Sequence, residues 1–238
     1  MNGGLRAIVS GERVAPGGEL RKVPLLIALA LAVVAVLIEL GSPLILNSGD
    51  NPPGRGVPYL ALVDVILAYT LLLIALPLIV PDRLQGKLQG IITLIGSIVL
   101  LIVAFLLTLL ALTALILMVT LFLAVPFGTA VYAGLFGDFA RGEAAALLSL
   151  LMALKLALSV CLVLAQQRFL QNKGLVLLIV TSLVANIIVA FLHGLVPGLL
   201  VSITDALAAV VVGVIAIVWA LVLLIGSIPA VLRAIKSS

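Results

Sequence analysis

The chain has 238 residues, of which 65% are hydrophobic and only 9% charged, with a net charge of +4. Soluble domains carry about a quarter charged residues, so the composition excludes a protein whose main solvent is water. Its basic surplus lies at the ends of apolar runs, where Lys and Arg face lipid headgroups, so it does not mark a nucleic-acid surface. The single Cys161, inside an apolar run, excludes a disulfide framework.

Taken in chain order, residues 1–22 form a polar leader, rich in Gly and mixed in charge. The apolar run after it ends in Glu39, Gly41, Ser42 and Pro43, with no small-x-small cleavage site, so an uncleaved first span is expected. A crossing helix needs about 20 apolar residues at about 1.5 Å rise each. Six stretches qualify: 24–40, 59–80, 91–125, 144–165, 175–196 and 203–228. Turn residues separate them, including Asn51, Pro52, Pro53 and Gly54, then Pro81 and Asp82, then Gln171 to Gly174, then Pro197 and Gly198. The expected fold is therefore all-α, one six-helix transmembrane domain over 23–231 followed by a short basic tail, 232–238. No repeat relates the two halves, so an inverted-repeat transporter is not supported.

The third stretch is too long for one ordinary crossing. As a helix its uncharged residues extend about 52 Å against about 30 Å of hydrocarbon, so it is either one projecting helix or two hidden spans. No Gly, Pro or charged residue interrupts it between Ser97 and Pro126, and Gly90, Ser97, Ala104 and Ala111 recur every seven residues, as one packed face requires.

Charge decides between the two. With six spans, Arg6, Arg13, Arg21, Lys22, Arg83, Lys87, Arg168, Lys173, Arg233 and Lys236 share one side, and Arg55 and Arg141 the other. With seven spans the division falls to seven against five. Six spans with both termini cytoplasmic is the expectation, in the plasma membrane of a bacterium. Residues 126–142 then lie outside; Phe127, Tyr132, Phe136 and Phe139 suit an interfacial belt or a shallow re-entrant segment.

Lipid tails are as apolar as Leu, so close approach at small residues must hold the spans together. Ala28, Ala32, Ala35, Glu39 and Ser42 form such a seam on the first span, and Ala61, Asp64, Ala68 and Ala75 on the second. The sixth carries the longest, Ser202, Ala206, Ala209, Gly213, Ala216, Ala220 and Ser227, broken only at Leu223. A tight left-handed bundle is expected. Ser182, Asn186 and His193 align on the fifth span and Lys155, Ser159 and Gln166 on the fourth, as polar stripes facing a bundle interior do.

Lys155 is the most informative residue. It stands near the middle of the fourth span, where a Lys costs roughly 2.5–3.5 kcal/mol to insert. It needs a partner, a water-filled cavity or a route to the headgroups. The bland reading is a static ion pair with Asp64; the functional one is a substrate-binding cation or a proton-linked switch. Glu39, Asp64, His193 and Asp205 fall in the outer half and, with Lys155 and Asn186, would line a polar outer vestibule. Glu39 and His193 also suit an interfacial position, and Ser202 with Asp205 suits a cap on the sixth helix.

No HExxH, CxxC, Walker or paired-acid motif occurs, and no cofactor is implied. Ser97 and His193 only faintly suggest an intramembrane protease and fall on opposite sides, so no enzyme is expected. The leading expectation is a small permease or channel-like protein moving an ion or small solute. The alternative is a structural or assembly subunit with static ion pairs. Expected partners are membrane lipids and a second copy or other membrane subunits, with no nucleic acid.

Overall fold

Backbone amides in hydrocarbon find no water, so a crossing segment must close its hydrogen bonds internally. The computed structural model describes residues 21–46, 58–80, 82–124, 141–195 and 198–236, and among them the chain forms long α-helices and no strand. These are α1 (Lys22–Leu46), α2 (Ala61–Ile79), α3 (Asp82–Ala124), α4 (Arg141–Ala165), α5 (Lys173–Leu195) and α6 (Gly198–Lys236). Each is long and apolar enough to cross a membrane. Most of the polar leader, the greater part of the 126–142 connector and the last two residues of the basic tail lie outside the described residues.

The third stretch is one unbroken helix of 43 residues, and it begins earlier than expected. The segment read as a loop at 81–88 is helical from Asp82 onward. Pro81 precedes the helix and Asp82 opens it, both residues that favour a helix start, and nothing before Gly90 breaks it except the tolerated Gly86. The sixth helix likewise starts earlier than expected, at Gly198. Ser202 and Asp205 therefore lie inside α6, and the capping role expected of them is not realised. Asn172 does cap the start of α5, its Oδ1 accepting the Leu175 amide at 3.2 Å after a short 3-10 turn, Gln167–Gln171.

Packing is uneven. Half of the α2 span is buried but only 11% of the α3 span, so α2 sits centrally and α3 at the periphery. The most extensive interface joins α3 to α6, while α1 packs against α4 and α2, and α5 against α4. The Arg21 amide donates to the Ala165 carbonyl at 3.1 Å, placing the start of α1 beside the end of α4.

Small residues line these interfaces. Ala206, Gly213, Ala216, Ala220 and Ser227 of α6 are buried, Ala209 is half-buried, and Leu223, the apparent break in the seam, is buried on the same face. Gly213 meets Thr108 so closely that a Cβ would overlap the Thr108 hydroxyl. Gly96 of α3 does the same for Tyr69 of α2, whose hydroxyl donates to the Ile92 carbonyl at 2.7 Å. On α3 the seven-residue seam is buried at Gly90, Ser97 and Ala104, and Thr93 and Thr108 are buried beside it.

Candidate functional site

Ala28, Ala32 and Ala35 bring α1 close to its neighbours, and the next residue on that seam is Glu39, itself fully buried. Helical side chains lean toward the N-terminus of their own helix. Because α1 and α4 run in opposite directions, Glu39 leans one way along the bundle and Lys155 the other, and the two converge. Lys155 Nζ lies 2.9 Å from Glu39 Oε1 and 2.7 Å from Asp64 Oδ2. Ser182 of α5 donates its hydroxyl to Asp64 Oδ1. Four helices thus meet at one ammonium and two carboxyl groups.

The expected pair of Asp64 and Lys155 is in contact, but it is half of the arrangement. Glu39, read also as an interfacial residue, is enclosed by protein: its side chain is 0% exposed, against 3% each for Lys155 and Asp64. The cluster of these three groups is closed off from the surface. Fully ionised, it carries one more negative charge than positive. The two carboxyl groups flank the same ammonium.

The helix around Glu39 is arranged by its neighbours. Pro43 has no amide hydrogen, so the Glu39 carbonyl four residues earlier loses its helical donor. The Ser42 hydroxyl replaces it, donating to that carbonyl at 2.7 Å. The helix continues past the acid with its backbone satisfied, as hydrocarbon demands.

Most described hydroxyls bond back to their own helix. Thr70 donates to Ile66, Ser97 to Thr93, Thr108 to Ala104 and Ser159 to Lys155, each to a carbonyl. Ser97 therefore has its proton committed within α3. Ser182, by contrast, spends its proton on a side chain of another helix. One turn further along α5, Asn186 Nδ2 donates to the Leu148 carbonyl of α4 at 3.0 Å. Among the described residues, Glu39 Oε2 and Asn186 Oδ1 are buried with neither a hydrogen bond nor an ion pair. His193 and Asp205 fall within α5 and α6, but their side chains lie outside the described residues; among the described residues the cluster comprises Glu39, Asp64, Lys155 and Ser182.

Sequence reasoning had Glu39 on the right stripe and missed its direct contact with Lys155. It also missed Ser182 as a donor to Asp64; the signal available was its place on the fifth-span polar stripe. The chain matches no protein-family model, no curated protein and no solved structure.

Proposed function

We propose that this chain is a small permease or channel-like protein that moves an ion or small solute, with Glu39, Asp64 and Lys155 on its conduction or coupling path. Ionisable groups within membrane spans are costly, and in membrane proteins they mark ion and substrate routes. The observation that carries the reading is the unequal charge: a structural lock needs one acid and one base, and here two acids meet one base. The groups also come from separate helices, so any relative movement of α1, α2 and α4 makes or breaks the cluster. The ten-to-two division of basic residues supports a plasma-membrane setting with cytoplasmic termini.

The second reading, a structural subunit with a static cluster, draws on the near-complete burial of all three groups. Water access separates the two. Cys161 is replaced by Ala, and a cysteine is placed at Ser182 or at Ala35, one turn from Glu39 and also buried. In native membranes a small water-borne thiol reagent should modify at least one position over time, as the path opens. If neither reacts while a cysteine at the exposed Lys173 does, the cluster is dry and the transport reading fails.

A further inference from the structure

We infer that the ligand of this site is a proton, shared between the carboxyl groups of Glu39 and Asp64 beside Lys155. The inference rests on the reading of the cluster as part of a conduction or coupling path, and names the ion that path handles.

Charge balance comes first. Two carboxylates and one ammonium leave a net negative charge in a closed, water-poor setting, where an uncompensated ion is strongly disfavoured. Among the described residues no other charged side chain redresses it. Facing the cluster, α1 supplies Glu39, α2 Asp64, α4 Lys155 and α5 the neutral Ser182. Tyr69 of α2 faces α3 instead, and the described Arg21, Lys22 and Lys173 are exposed at helix starts. One further positive charge is therefore required.

The geometry selects which cation supplies it. The Lys155 ammonium already occupies the position between the acids that a metal ion would need. Metal ions of the hard class take several oxygen ligands, yet the cluster offers a single unengaged acid oxygen, Glu39 Oε2, wholly buried. Among the described residues no group of three His, Cys, Asp or Glu side chains is placed to hold a metal. A proton needs one oxygen to sit on and one to point at. Glu39 Oε2 provides the first, and the Asp64 carboxyl, held by the same ammonium, is the acid beside it.

Infrared spectroscopy of the wild-type protein in lipid nanodiscs, compared in H2O and D2O at neutral pH, tests this directly. The expected result is a protonated-carboxyl stretch, with intensity equal to one group lost in Glu39→Gln and likewise in Asp64→Asn. Either substitution leaves one acid facing one base, which needs no proton. Exchanging sodium for choline should leave the band unchanged. A wild-type spectrum without the band overturns the inference, as does intensity that neither substitution removes, or a band that sodium abolishes. The band and the cysteine chemistry fail separately. A band with unreactive cysteines retains the proton and rejects the path; reactive cysteines without a band retain the path and reject the proton.

Discussion

The Ser182 hydroxyl donates to Asp64 Oδ1 while Lys155 holds Oδ2, so Asp64 has both oxygens engaged, whereas Glu39 has only one. The two acids are thus unequal partners of the same lysine. Asp64 is anchored to two helices besides its own, and Glu39 is the more adjustable of the pair.

That inequality predicts an order of substitutions. Glu39→Gln leaves a balanced Asp64–Lys155 pair and should keep or raise thermal stability in detergent. Lys155→Met leaves two buried acids with no base and should cost about 3–5 kcal/mol, the usual penalty for breaking a buried pair. The sequence alone suggests that Asp64→Asn with Lys155→Met would rescue expression, but Glu39 would remain as a lone acid, so only the triple replacement should rescue it. Glu39→Gln proving as damaging as Lys155→Met would refute this arrangement.

Gly213 is predicted to tolerate no side chain. A leucine there must displace Thr108 and the α3 backbone, at a cost of about 1–3 kcal/mol by analogy with overpacked cores. Val214 is half exposed on the lipid side, so Val214→Leu serves as the control. Equal melting shifts for the two variants would show that α3 and α6 do not meet at this point.

Replacing Ser42 by Ala should destabilise α1 by about 1–3 kcal/mol, the cost of leaving a buried carbonyl unbonded. The accompanying change Pro43→Ala restores the missing amide hydrogen and should recover most of the loss. A double variant no better than the single would mean that the hydroxyl acts elsewhere.

For orientation, single cysteines at Ser48 and Ser238 in a Cys161→Ala background give a direct reading. A reagent that cannot cross the membrane should label the first in intact cells and spare the second. Labelling of both to the same extent would reject the arrangement inferred from charge.

The helices were readable because uninterrupted apolar runs and Pro-marked breaks are local properties. The seam on α6 was readable for the same reason, down to Gly213. Helix ends were less so: α3 and α6 continue beyond their apolar stretches, because a helix already formed propagates through polar residues until something stops it. The Lys155–Glu39 contact was hidden by residue counting. Measured from the Arg21–Ala165 bond, the two residues stand about eight positions apart along the bundle, or about 12 Å. Two long side chains leaning toward each other close that gap, and neither the neighbour relation of α1 and α4 nor the leaning is visible until the helices are assembled. Ser182 was hidden likewise, since its bond to Asp64 depends on which helix lies opposite.

The way this cluster is divided along the chain bears on how the protein is made. Both acids leave the ribosome well before their base does: roughly 90 residues lie between Asp64 and Lys155, several seconds of synthesis at about 5–20 residues per second. For that interval α1 and α2 carry acids that have no counter-charge and are poorly suited to lipid. The first helices must wait beside the insertion machinery, or enter the bilayer neutralised, until α4 emerges. On the first of these routes, a ribosome stalled between α3 and α4 would hold a nascent chain that still clings to its translocon, and release would coincide with the arrival of a single lysine.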